Sequence, residues 1–168
     1  MEQPETGDPI GAEMSVLTPG RRTVVISGTV SDSHTWNLVY LQLLIEELGF
    51  HTVNLGPCVP VAVLAQECRE LTPVLIVIGS INGHGHQDGM RLIEHVRADA
   101  VLAQIPVVIG GKLGIADDGV EQRARALTAA GFDAVFEDAA SSITEFRDFV
   151  HAITTPTRVA AQELEIQA

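Results

Sequence analysis

The sequence predicts an α/β domain: a five-stranded parallel sheet wound with helices on both faces. Three observations predict it. Five short β-branched runs alternate with five stretches of helical length, which makes βαβ units. Two of the runs, "VLIVIG" at Val74–Gly79 and "IPVVI" at Ile105–Ile109, are apolar throughout, as central strands covered on both faces must be. The composition, 46% apolar with only 4% aromatic residues, asks for a core of Val, Leu, Ile and Ala, which a buried parallel sheet supplies.

Taken in order, Thr23–Val30 reads as strand 1 and Trp36–Leu48 as helix 1, closed by Gly49. His51–Leu55 is strand 2, and Val61–Leu71 is helix 2, introduced by Pro60. Val74–Gly79 is strand 3 and Gln87–Ala98 helix 3. Ile105–Ile109 is strand 4, and Asp118–Ala130 is helix 4, closed by Gly131. Asp133–Phe136 is strand 5, and Ser142–Ile153 is helix 5, with Ser141 or Ser142 as N-cap and Glu145 placed for a capping box. Five strands so connected favour the flavodoxin-like doubly wound order 2-1-3-4-5. Residues 1–22, with Pro4, Pro9 and Pro19 and no periodicity, read as a flexible leader, 23–154 as the domain, and 155–168 as a tail.

At 168 residues the chain can bury a core without staples. Its net charge of −12 argues against nucleic acid and against anionic membrane surfaces as partners. Cys58 and Cys68 read as reduced thiols of a cytoplasmic protein, and no apolar run reaches membrane-spanning length. The polar N-terminus is not a signal peptide.

In such a sheet, ligands bind beyond the carboxyl ends of the strands, at the switch point between strands 1 and 3. The loops there are Ser31–Asn37, Ser80–His86, Gly110–Gly114 and Glu137–Ser141. Glycines clustered after both central strands let backbone approach a broad ligand. A phospho-acceptor Asp is missing at the end of strand 3, where Gly79-Ser80 stands, and the first loop carries no Gly-x-Gly-x-x-Gly. A P-loop is absent too, and Ser31, Ser33 and Thr35 leave a flavin phosphate site open as a weak alternative. Asp32 and His34 put a carboxylate and an imidazole at the mouth of the sheet, and a carboxylate two residues away can hold an imidazole for metal ligation.

Asp32-Ser33-His34, Ser80-Ile81 and Gly110-Gly111 together resemble, in order and spacing, the Asp-x-His-x-x-Gly … Ser-x-Leu … Gly-Gly pattern of the cobalamin-binding domain family, over about Thr23 to Ile153. Within that family the chain looks most like the small (sigma) subunit of adenosylcobalamin-dependent glutamate mutase, or methylaspartate mutase. The run Gly79-Ser80-Ile81-Asn82-Gly83-His84-Gly85 is close to that subunit's Ser-Leu-Tyr-Gly-Gln-Gly segment. The absence of an upstream helical cap also suits a mutase small subunit.

The resemblance implies that His34 replaces the displaced dimethylbenzimidazole as lower axial cobalt ligand, with Asp32 fixing its tautomer. The nucleotide tail is expected in a slot between strands 1 and 3, with Ser80 near the displaced base and Gly110-Gly111 lining the slot. Candidate cofactor-binding residues are Asp32, Ser33, His34, Thr35 and Asn37 on the first loop, Ser80, Ile81, Asn82 and Gly83 on the third, and Gly110, Gly111 and Lys112 on the fourth. The implied partner is a large catalytic mutase subunit, a TIM barrel holding the substrate, in a heterotetramer or with a homo-oligomer of this chain; no residue here acts as acid or base on substrate. Alternatives are a stand-alone corrinoid carrier, a cobalamin-responsive module, the small subunit of another acyl-CoA or amino-acid mutase, and a flavodoxin-like protein without a corrinoid.

The sequence departs from the family at two places. Asn37 stands where the motif has Gly, bringing a side chain toward the slot and tolerance of left-handed backbone. Glu137-Asp138-Ala139-Ala140-Ser141 replaces a Gly-Pro-Gly-Thr-like turn and sets two carboxylates near an expected phosphodiester. His84, His86 and Asp88 lack the spacing of a metal site and read as rim or partner residues, and Cys58 reads as structural. Helix 1 is apolar around most of its circumference, more than a surface helix needs, and is expected to meet the tail or another subunit.

Overall fold

A computed structural model describes residues 22–115, 118–137 and 141–154. The leader apart from Arg22, and the tail from 155 onward, lie outside the described residues. The element order is β1 (Thr23–Gly28), α1 (Trp36–Glu47), β2 (His51–Asn54), α2 (Val61–Leu71), β3 (Leu75–Ser80), α3 (Gly85–Ala98), β4 (Val107–Gly111), α4 (Val120–Ala130), β5 (Ala134–Glu137) and α5 (Ser142–Thr154). All neighbouring strands run parallel, in the order β2-β1-β3-β4-β5. The predicted doubly wound architecture is therefore the one the chain adopts.

Alternation along the strands divides the core in two. Val25, Ile76, Ile78, Val107 and Ile109 point to the face covered by α2, α3 and α4. Val24, Ile26, Leu75, Val77 and Val108 point to the other, covered by α1 and α5. Every residue of β3 is buried, which explains its unbroken apolar run. Cys68 sits in the first core, and its thiol is pushed up to about 12, chiefly by burial and further by Glu67. No helix among the described residues is long and apolar enough to cross a membrane.

Element ends differ from the sequence expectation for definable reasons. β4 starts two residues late because the Ile105 N–H is used by a turn onto Leu102 C=O (2.9 Å) and Pro106 has no N–H. It runs on through Gly110 and Gly111, which pair with Gly79 and Ser80 of β3. Gly110 and Gly111 are thus strand residues, not loop residues. α3 starts at Gly85 because Asn82 Oδ1 takes the His84 N–H (2.9 Å) and the His84 C=O takes the Asp88 N–H (3.2 Å).

One row across the sheet lacks side chains. Gly28 pairs with Gly79, Gly79 with Gly110, and Gly110 with Phe136. A Cβ on Gly79 would lie 3.0 Å from Leu38 Cδ2, and one on Gly110 would lie 2.8 Å from the Phe136 carbonyl oxygen. Gly111 is tighter still: φ is +107°, and a Cβ would stand 2.2 Å from the Ser80 carbonyl oxygen. Gly49, closing α1, also has positive φ (+92°) but nothing within 4 Å. Gly111→Ala therefore combines overpacking with strain and is expected to cost about 2–4 kcal/mol. Gly49→Ala carries the left-handed penalty alone, about 1 kcal/mol. Urea unfolding of both variants checks the ranking, and equal losses would contradict it.

Candidate functional site

The loop after β1 is tied to the end of β3 through one carboxylate. Asp32 is 1% exposed. Its Oδ1 accepts the His34 backbone N–H (3.0 Å) and lies 2.7 Å from His34 Nδ1. Its Oδ2 accepts the Ser80 hydroxyl (3.1 Å), the Ile81 N–H (2.5 Å) and the Asn82 N–H (3.1 Å). The Asp32 C=O takes the Cys58 N–H (3.0 Å), and Cys58 accepts positive φ (53°) to deliver it. Cys58 thus supports the loop through its backbone, while its side chain is exposed.

Burial works to raise the Asp32 pKa. The N–H groups of His34 and Ile81, the imidazole and the Ser80 hydroxyl outweigh it and hold the carboxyl below its ordinary value. An ionised carboxylate facing Nδ1 fixes the proton there and leaves Nε2 with a free lone pair, the form in which imidazole ligates a metal. The ring of His34 is 48% exposed, so it is held from beneath and open above.

A second layer braces this arrangement. Thr29 donates to Ser80 Oγ (3.2 Å), and Asn82 Nδ2 donates to Ser31 C=O (3.0 Å). Asp88, buried at the start of α3, accepts the Ser31 hydroxyl (2.5 Å) and N–H (3.2 Å). Sequence reasoning did not give Thr29, Ser31 and Asp88 this role. Partners 51 to 57 residues apart leave no local pattern.

A cavity of about 400 Å³ is lined by the start of α1, whose first residue, Trp36, follows His34 by two positions. Gly79 and Gly110 lie at its floor, between Val77 and Val108 below and Ile81, Gly111 and Lys112 above. Trp36, Asn37, Tyr40 and Leu41 of α1 form one wall; Phe136 and, from α5, Ile143 and Phe146 form the other. The open slot thus lies over β3 and β4, between α1 and α5, and not between β1 and β3. The β1–β3 edge is filled by Leu38, whose methyl groups would meet a Cβ on either Gly28 or Gly79.

The candidates fall into groups. Asn37, Ile81, Gly110, Gly111 and Lys112 line the cavity. Asp32, Ser80 and Asn82 build the clasp that presents His34. Ser80 is fully buried in that clasp and does not line the cavity. Ser33 and Thr35 are exposed and belong to neither group; Thr35 is the N-cap position of α1 without a hydroxyl cap. Gly83 shapes its loop at φ +84°, its N–H bonded to Lys112 C=O (3.1 Å). Asn37 does not use left-handed backbone; it is the second residue of α1.

No family model matches the chain. It is 30% identical over 142 residues to the glutamate mutase sigma subunit of Halobacterium salinarum, covering 84% of this chain and 89% of that protein. The chain belongs to the glutamate mutase sigma subunit family. A second member, glutamate mutase sigma subunit 2 of Haloarcula marismortui, is 29% identical over 115 residues, 68% of this chain and 76% of that one. Among solved structures, a cobalamin-binding protein from Desulfitobacterium hafniense DCB-2 shares the fold, with TM-score 0.60 and 20% identity, over 77% of this chain and 60% of that one. The sigma-family chain thus carries its clasp and cavity on the fold of that protein.

The clasp predicts a pH dependence. Because the folded pKa of Asp32 is lowered, its stabilisation is complete above the unfolded value of about 3.9 and is lost as pH falls through the folded value. Asp32→Ala strands the Ser80, Ile81 and Asn82 donors and is expected to cost about 2–4 kcal/mol at neutral pH. Denaturation curves of both proteins from pH 7 to pH 3 should show the gap shrinking at the acid end. A gap that stays constant or widens would refute the role given to the carboxylate.

Proposed function

We propose that this chain is the cobalamin-binding small subunit of an adenosylcobalamin-dependent carbon-skeleton mutase, namely glutamate mutase, which converts L-glutamate to 3-methylaspartate. The observation that carries the reading is His34, held at Nδ1 by Asp32 (2.7 Å) with its ring half exposed, on the loop that leads into a cavity lined by Gly79 and Gly110. The residues fit the cofactor. The His34 imidazole would be a suitable cobalt donor, the Asp32 carboxylate would raise its basicity, and the cavity would have room for a nucleotide base of the cofactor.

When bound, adenosylcobalamin supplies the organic-radical chemistry of the rearrangement. The protein's contribution is binding and orientation. Asp32 keeps the His34 proton on Nδ1, Ile81 and Lys112 line the cavity, and Gly79 and Gly110 keep side chains out of it. No side chain of this chain needs to act on substrate; that task falls to a larger catalytic subunit, a TIM barrel.

An exposed apolar stripe supports such a partner. Trp36 (65% exposed), Val39, Tyr40 and Leu43 share one side of α1 at helical spacing. Trp36 and Tyr40 also line the cavity, so the stripe is continuous with the cofactor's seat. Two free thiols suit a cytoplasmic setting.

Titration with adenosylcobalamin tests the reading. The wild type is expected to give the base-off, histidine-on visible spectrum, and the cobalt(II) form an EPR signal split by one imidazole nitrogen. His34→Ala should lose that splitting and bind at least about tenfold more weakly, 1.4 kcal/mol or more. An unchanged spectrum in His34→Ala would exclude the axial role. Turnover of glutamate should require addition of the large subunit, and turnover by this chain alone would overturn the division of labour.

A further inference from the structure

A second buried carboxylate, Asp88, lies in the first turn of α3 and is 7% exposed. Among the described residues, both hydrogen bonds of its side chain come from Ser31. The Ser31 N–H (3.2 Å) and hydroxyl (2.5 Å) donate to the same oxygen, Oδ2. A buried carboxylate is costly unless it is paired, and the N-terminus of α3 offsets only part of that cost. The fold therefore places a buried charge where its hydrogen bonds hold one loop residue, the one directly before Asp32.

The hydrogen bonds around Ser31 run in one direction. Asn82 Nδ2 donates to the Ser31 C=O (3.0 Å) and to Ser31 Oγ (3.1 Å). A hydroxyl has one proton; Ser31 gives it to Asp88 and keeps its lone pairs for Asn82. A chain that ends on a carboxylate strengthens each of its links. At the other end, the Asn82 N–H donates to Asp32 Oδ2 (3.1 Å), and Asp32 Oδ1 faces His34 Nδ1 (2.7 Å). Asp88 and His34 thus stand at the two ends of one network that passes through Ser31, Asn82 and Asp32. The loop after β1 is held from three sides. Cys58, between β2 and α2, donates its N–H to the Asp32 C=O (3.0 Å), the end of β3 holds the Asp32 carboxylate, and α3 holds Ser31. Without the third anchor, the turn that Asp32 N–H closes on Thr29 C=O (3.1 Å) is free to tilt.

We infer that Asp88 is a positioning residue for His34: acting through Ser31, it keeps the loop after β1 in the arrangement in which Asp32 faces Nδ1 of the imidazole. The inference rests on the reading of His34 as the axial cobalt ligand. A ligand that is already ordered binds more tightly, because the ordering cost is met before the cofactor arrives. Asp88 touches neither His34 nor Asp32, so its effect on the cofactor passes entirely through the loop.

The test is a double-mutant cycle on the full chain, read as the dissociation constant of adenosylcobalamin. Asp88→Ala is expected to weaken binding about fivefold, less than the roughly ten- to hundredfold typical of direct partners of a metal ligand. Asp88→Asn keeps an acceptor oxygen for both Ser31 donors and should bind within about twofold of wild type. In a His34→Ala background, Asp88→Ala should change binding by less than about twofold, since no axial ligand is left to position. A loss of folded protein would instead weaken binding equally in both backgrounds. The protein without cofactor gives a second readout. Nitrogen NMR of the histidine rings should show His34 as the Nδ1–H tautomer alone in wild type and Asp88→Asn, and as a mixture of tautomers in Asp88→Ala. Equal losses in both His34 backgrounds, no rescue by Asp88→Asn, or an unchanged His34 tautomer in Asp88→Ala would overturn the inference and leave the corrinoid reading intact. Failure of wild type to bind adenosylcobalamin would overturn both.

Discussion

The site depends on one carboxylate with every acceptor position in use. Asp32 closes the loop after β1 onto the end of β3, and those two strands meet at the centre of the sheet order. A buried charge is tolerable only when hydrogen bonds replace its water, and here three donors from β3 and its loop and two from His34 do so. The same bonds orient the imidazole. Stability of the loop and presentation of His34 are therefore one interaction, and a substitution at Asp32 cannot separate them. Ser80 is part of that interaction because it ends a strand whose register is set by Gly79 and by Gly111.

Register links the clasp to the cavity. Gly28, Gly79 and Gly110 lie in one row across three strands, so the absence of side chains there is a property of the sheet. Leu38 takes the space over the β1–β3 end of that row, and the remainder stays open between α1 and α5. The cavity thus arises where a helix that must pack on glycine runs out of side chains to fill the gap. Asn37, one residue before Leu38, occupies the boundary.

The strand order, the helix sequence and the switch point were legible because they rest on periodicity and on the connection rules of parallel sheets. Asp32 and His34 were legible because they are two residues apart. The glycines also have packing roles that spacing alone does not reveal. Gly111 serves close packing of strand on strand, and Gly85, whose Cβ would stand 2.9 Å from Ser80 Cβ, serves packing of α3 on β3. Phe136, Ile143 and Phe146 were not foreseen as cavity walls. Their apolar spacing announces a buried face but cannot say which part of that face stays uncovered. The helix 1 surplus was visible, and Trp36, Val39, Tyr40 and Leu43 are indeed exposed.

The acidic turn after β5 shows how alternation can reverse an electrostatic expectation. Glu137 is the residue next to Phe136, so their side chains point to opposite faces of the sheet. Phe136 faces the cavity, where it meets Phe146 edge-on at 5.4 Å. Glu137 turns to the α4 side, where Arg123 Nε (3.0 Å) and Nη2 (2.6 Å) both donate to Oε1. A half-buried, hydrogen-bonded guanidinium partner compensates much of the carboxylate's charge where an unpaired one would be most costly. Asp138 lies outside the described residues. For Glu137, however, the replacement of a glycine-rich turn does not bring a charge into the cavity. It leaves an apolar wall there, formed by Phe136 with Ile143 and Phe146 of α5.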